Sequence, residues 1–171
     1  MKETPKQYRQ RMLNNSAGKS PLQVQAGAAR KLAFTIRGLT PAQLRRRPAP
    51  GKWSIAEILA HLADTEIGIG FRLRQVLSVN GIPLQAFDQD KWAAAANYNA
   101  QRPAQSIADF RVLREKNLRL LKSVPRKQWR NYGMHAERGK EPVATIVAMI
   151  AGHDINHLRQ VEALARAARR R

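Results

Sequence analysis

From Val143 onward, apolar side chains fall at positions 143, 146, 147, 150, 161 and 164, and two histidines, His153 and His157, complete the three-and-four spacing between them. That period marks one face of a long helix and leaves no reading as a strand, whose side chains alternate with a period of two. The two imidazoles then stand where Leu or Ile would normally face a core. A pair at i and i+4 lies one turn apart, about 6 Å along the axis, which lets both rings reach one metal ion.

Three further segments carry the same period. Ser20-Pro21 reads as a cap followed by proline at the first helical position, and Leu22, Ala29, Leu32, Ile36 and Leu39 form the apolar face of a first helix ended by Gly38. Thr40-Pro41 repeats the start signal for a short turn, and Pro48-Ala49-Pro50-Gly51 breaks the chain. Ser54-Ile55-Ala56-Glu57 is a capping box that opens a second helix running to about Val79, with His61 on its inward side. Glu57 and Asp64, one turn to either side of His61, fit two roles: orienting an imidazole or acting as a base, or ordinary capping and surface solvation. Ser106-Ile107-Ala108-Asp109 reads as the cap of a third helix, with Ile107, Phe110, Leu113, Leu120 and Leu121 inside and Arg111, Arg114, Arg119 and Lys122 mostly outside.

The periodicity is lost in two places. Between Asn80 and Pro103 a long connection is expected, holding at most one helical turn around Trp92 to Ala96; it is either a crossover pinned by Phe87, Trp92 and Tyr98 or a pocket wall. The stretch from Trp129 to Gly139 reads as irregular, with His135 a loop histidine, before Glu141-Pro142 starts the last helix. Residues 1–19 read as a basic, partly ordered arm or short helix with Tyr8, Met12 and Leu13 as anchors, residues 20–168 as one bundle domain and 169–171 as a basic tail. A chain of 171 residues that is 43% hydrophobic can bury one substantial core.

Four amphipathic helices without strand-like alternation predict an all-α four-helix bundle, in which ligand sites are built from inward residues on facing helices. With the second and last helices antiparallel, His61 lies seven residues from the start of one and His157 eight from the end of the other, at one height. His61, His153 and His157 then form a three-nitrogen set with open positions for water or substrate. Because the chain has no cysteine, thiolate sites and disulfides are excluded, and the available metal ligands are His and carboxylate. A zincin helix fits poorly, since Asp154 stands where the general-base Glu belongs and only a short basic tail follows His157. Three unrelated core histidines, each with its own buried partner, form the structural alternative.

The net charge of +19 favours contact with polyanions, but the basic residues are scattered and no nucleic-acid motif accompanies them. A solvated basic surface with non-specific nucleic-acid binding is therefore expected, with a dedicated nucleic-acid-associated or stress-related binding protein as the alternative function. No secretory h-region or long apolar run occurs, so a cytoplasmic protein with no membrane span is expected.

In order along the chain, Pro50-Gly51-Lys52-Trp53-Ser54-Ile55-Ala56-Glu57, His61-Leu62-Ala63-Asp64-Thr65-Glu66, Phe87-Asp88-Gln89-Asp90-Lys91-Trp92 with Tyr98, His135-Ala136-Glu137-Arg138-Gly139, and His153-Asp154-Ile155-Asn156-His157-Leu158-Arg159-Gln160 form a specific set. It resembles the DinB-like superfamily of bacterial metal-binding four-helix bundles, in particular the YfiT-like branch of candidate metal-dependent hydrolases. The resemblance implies an up-down-down-up bundle with a long crossover between helices 2 and 3, a divalent metal held by His61, His153 and His157, and frequently a homodimer. It also implies a hydrolase or a thiol S-transferase, the latter using a low-molecular-weight thiol cosubstrate; Zn or Ni is the expected ion. A non-catalytic member with a structural metal is the remaining reading. Trp92, Tyr98 and His135 are the candidate pocket residues beside the ion, with Asp64 or Glu57 as its assisting base.

Overall fold

The computed structural model describes residues 3–170. Among these residues seven α-helices, α1 (Pro5–Ser16), α2 (Pro21–Ile36), α3 (Pro41–Arg45), α4 (Ile55–Ser78), α5 (Gln89–Ala95), α6 (Pro103–Ser123) and α7 (Val143–Arg169), are joined by strands β1 (Pro83–Leu84), β2 (Tyr132–His135) and β3 (Gly139–Pro142). Reciprocal caps start the helices where the sequence places them: Thr40 with Gln43 before α3, and Ser54 with Glu57 before α4.

Four long helices, α2, α4, α6 and α7, form the bundle, and their cross-contacts give its directions. On α4 and α6, early residues meet early ones (Leu59 and Leu62 with Phe110) and late ones meet late ones (Leu73 and Val76 with Leu121), so these helices run parallel. Helix α7 runs against α4, because Val143 and Ile146 meet Leu73 and Val76 at one end while Val161 and Ala165 meet Ile55 and Ile58 at the other. Gln25 near the start of α2 donates to the Val147 carbonyl, and Leu32 packs with Val161 and Ala165, so α2 runs with α7. The result is an up-down-down-up bundle with its crossover between α4 and α6. Its interior is layered: one apolar cluster surrounds Ile55–Leu62 and Val161, a second surrounds Ile69–Val76 and Val147, and between them lies a layer of buried polar side chains.

Several local expectations need correction. Helix α6 begins at Pro103, three residues before the proposed Ser106 cap, because proline at the first helical position presets φ; Ser106 lies within the first turn and its hydroxyl donates back to the Arg102 carbonyl. Arg114, placed outside by periodicity, is only 3% exposed, because two buried carboxylates face it. The connection between α4 and α6 contains the two-turn α5 and a 3-10 turn at Tyr98–Ala100, more helix than the single turn expected. The segment before α7 is ordered as the antiparallel pair β2–β3, with β1 parallel to β2, so a three-stranded sheet closes that end of the bundle.

Residues 5–16 form a short helix packed on the bundle, the second of the two alternatives, and not a loose arm. Thr4 and Gln7 cap α1 reciprocally, and Met12 is fully buried where α1 crosses α7. The crossing is close because Gly152 has no side chain: a Cβ there would stand 1.8 Å from the Met12 carbonyl oxygen. Gly152→Ala is therefore expected to push α1 off α7, at a cost of about 1–3 kcal/mol. Hydrogen exchange should show lost amide protection across α1 with the bundle retained; unchanged protection in α1 would contradict this packing. Among the described residues no helix is long and apolar enough to cross a membrane.

Candidate metal centre

His61 on α4 and His153 and His157 on α7 converge in the buried polar layer. The Nε2 atoms of His61 and His153 are 3.0 Å apart, those of His153 and His157 are 3.1 Å apart, and all three ligand nitrogens lie within 4.8 Å of one another. Each residue is buried. The convergence follows from the bundle: the antiparallel run of α4 and α7 sets the height, and the one-turn spacing puts both α7 imidazoles on the face turned to α4.

The protonation state is that of a ligand set. Burial, and then the neighbouring His157, lower the pKa of His61 to about 3; burial lowers that of His157 to about 4 against the opposing bond from Gln160. His153 is pushed well below the ordinary range by burial and by its two histidine neighbours. All three rings are therefore neutral near pH 7. The Gln160 side-chain oxygen lies 2.9 Å from Nδ1 of His157, so that nitrogen carries the proton and Nε2 presents a lone pair.

This arrangement does not satisfy itself. With Nε2 of His157 bare, the His153–His157 contact is a hydrogen bond only if Nε2 of His153 donates, and its one proton cannot be directed at both neighbours, so just one of the two short contacts can be a hydrogen bond. Among the described residues, Nδ1 of His153 is moreover buried without a partner. A cation resolves the conflict by accepting all three lone pairs, and ligand bonds of about 2.0–2.1 Å place neighbouring nitrogens roughly 2.9–3.4 Å apart, the range the contacts fall in. The donor set fits a divalent ion that favours imidazole. Gln160→Leu should remove the bond that orients His157 and lower metal affinity about 10–100-fold, measured by competition with a chromogenic chelator; unaltered affinity would show that Gln160 plays no part.

Two cavities meet at the triad. One, of about 310 Å³, is lined by His61 and His153 together with Thr65, Ile69, Arg72 and His135; the other, of about 470 Å³, is lined by His153 and His157 together with Trp53 and Lys52. Tyr8 and Gln89 border both. The Trp53 ring lies 4.9 Å from the His61 ring and shields it from solvent. Behind His153, Asp154 and Glu66 both pair with Arg114, and Asn117 donates to Glu66.

The other candidate residues are distributed unevenly. His135 does line the first cavity; it is 3% exposed, and its Nδ1 accepts the Glu137 N–H, which leaves the proton of the neutral ring on Nε2. Trp92 stacks on Phe87 and Tyr98 is buried against Trp53, and neither lines a cavity at the triad. Asp64 accepts the Tyr98 hydroxyl at 2.7 Å, which turns its carboxylate to the crossover. Glu57 accepts from the Ser54 N–H and from Arg47; burial raises its pKa, but these bonds prevail and hold it below the ordinary carboxylate range. Both acids thus serve the architecture, and among the described residues no carboxylate joins the histidine set. Arg72 and the role of Gln160 were not singled out by sequence, and Tyr8 was read as an anchor of the N-terminal segment, not as a cavity residue.

Comparison with known proteins agrees with this geometry. The model of the DinB superfamily matches residues 26–161. A protein of Oceanobacillus iheyensis named as a candidate metal-dependent hydrolase is 28% identical over 133 residues, covering 77% of this chain and 76% of its own. The Bacillus subtilis protein YfiT, named in the same way, is 21% identical over 147 residues, covering 85% and 82%. The solved structure of YfiT, described as having an unusual four-helix bundle topology, superposes with a TM-score of 0.80 at 20% identity and covers 86% of this chain and 85% of that one.

Proposed function

The chain belongs to the DinB superfamily, and from that premise we propose that it is a metal-dependent hydrolase whose divalent ion, zinc or nickel, is held by His61, His153 and His157. The observation that carries this reading is the set of three neutral, buried imidazoles whose Nε2 atoms face one point and cannot satisfy one another. A divalent ion at that point supplies Lewis acidity, lowering the pKa of a water or a thiol towards neutrality.

The protein's own side chains supply the rest. Burial keeps the three rings unprotonated, Gln160 fixes the tautomer of His157, and Trp53 excludes water from the His61 side. His135 offers an Nε2–H donor from the wall of the smaller cavity, and Tyr8 borders both cavities.

The presence of a cavity on each side of the triad favours a second reading on the same residues: transfer to or from a low-molecular-weight thiol, with one reactant on each side. One experiment separates them. Zinc-loaded and nickel-loaded protein is assayed against ester, amide and lactone panels, with and without added thiols. Turnover without thiol supports the hydrolase, strictly thiol-dependent turnover supports the transferase, and activity that survives His153→Ala contradicts both.

A further inference from the structure

Helix α4 carries His61, Thr65, Ile69 and Arg72 down one face, and all four line the 310 Å³ cavity that opens from the triad. Eleven residues separate His61 from Arg72, a rise of about 16 Å. The cavity therefore follows the helix, with the triad at one end and a guanidinium at the other. Because long helical side chains lean towards the N-terminus, Arg72 leans back towards His61.

Arg72 is unlike the other buried arginine. Arg114, 3% exposed, meets two carboxylates. Arg72, only 7% exposed, donates to the Gln85 carbonyl at 3.1 Å and lies 5.9 Å from the Phe87 ring, and among the described residues it has no ion-pair partner. Its remaining donors are not sealed in protein, since none of its nitrogens is both fully enclosed and unpartnered. The acids nearby are already engaged or at the edge. Glu141, the buried one, pairs with Arg138; Glu3 is bound to Arg11; Glu137 is exposed at the rim. Arg138 thus takes the one buried carboxylate at this end, and a buried charge such as Arg72 without a partner is costly. Of the charged side chains that line the cavity, Arg72 is the buried one that no carboxylate of the described residues pairs with.

We propose that this cavity binds an elongated small molecule that ends in a carboxylate, with the carboxylate on Arg72, an apolar middle against Ile69, Phe87 and Met149, and the reacting group at the triad. The planar guanidinium of Arg72, bonded among the described residues only to the Gln85 carbonyl, suits the two oxygens of a carboxylate. The inference rests on the metal-dependent reading of the triad and adds to it the class of substrate.

The test uses metal-chelating probes that differ only at the far end. Binding of suberic acid monohydroxamate and of octanohydroxamate to the zinc-loaded full chain is measured by calorimetry, and adipic and sebacic pairs cover shorter and longer spans. The acid-ended probe of at least one pair should bind about tenfold tighter or more than its methyl-ended partner. In Arg72→Gln or Arg72→Met that gain should vanish while the methyl-ended affinity stays, and whichever variant retains methyl-ended binding carries the comparison. No gain in any pair, or a gain that persists without Arg72, overturns the proposal. Failure of the metal reading looks different: both probe classes would then bind wild type and His153→Ala alike.

Discussion

Replacing Arg114 with Met should lower the unfolding free energy by about 3–5 kcal/mol, because the change leaves two carboxylates buried without their counter-charge. Glu66 and Asp154 are each buried, and Arg114 is the cation within ion-pair distance of both. The guanidinium also donates to the Gln25 carbonyl of α2, so one side chain ties α6 to three other bundle helices. Burial alone would lower the Arg114 pKa, but the charges of Asp154 and Glu66 outweigh it and raise it instead, so the side chain stays cationic. For a chain of this length the loss corresponds to a fall in Tm of roughly 10 °C. Adding Glu66→Gln and Asp154→Asn to Arg114→Met should restore part of the stability, since the cost lies in the unpaired charges and not in the volume. Urea and thermal unfolding of the three proteins provide the measurement. A loss below about 1 kcal/mol for Arg114→Met would show that the layer between the two apolar clusters does not hold the bundle together.

That network also marks where sequence reading stopped. The helices of the bundle were legible because their apolar residues recur every three or four positions and because caps such as Ser54-Ile55-Ala56-Glu57 fix a start. The triad was legible because two histidines lie one turn apart on an apolar face and a third falls at a matching height on a capped helix. Arg114 was misplaced because periodicity treats any charge as outward-facing, and only the fold brings Glu66 and Asp154 opposite it. The β2–β3 pair escaped notice because four-residue strands containing glycine, methionine and proline have neither the length nor the alternation that marks a strand. Glu57 and Asp64 shared the inward side with His61 in sequence, yet each had a nearer partner, Arg47 and Tyr98, that spacing along one helix cannot show. Arg72 was invisible for the converse reason, since what distinguishes it is that no carboxylate of the described residues pairs with it in a cavity built from several elements.

The second large effect is expected at His153. Its Nε2 touches those of both other histidines, so its loss leaves two imidazoles with no nitrogen between them. His153→Ala should reduce bound metal from stoichiometric to undetectable, whereas Gln160→Leu only weakens binding. The helix itself should tolerate the change, because alanine is a good helix former and α7 is anchored on both sides of the site by Ile146, Val147 and Val161. Loss of metal with the helical signal retained would separate a ligand from a core residue.

The most direct test of the three-histidine site is the metal content of the wild-type chain, purified without chelator and measured by elemental mass spectrometry beside a variant with His61, His153 and His157 all replaced by Ala. About one zinc or nickel per chain is expected in the wild type and none in the variant. No bound metal in the wild type, or the same content in both proteins, would contradict a metal centre built from these residues.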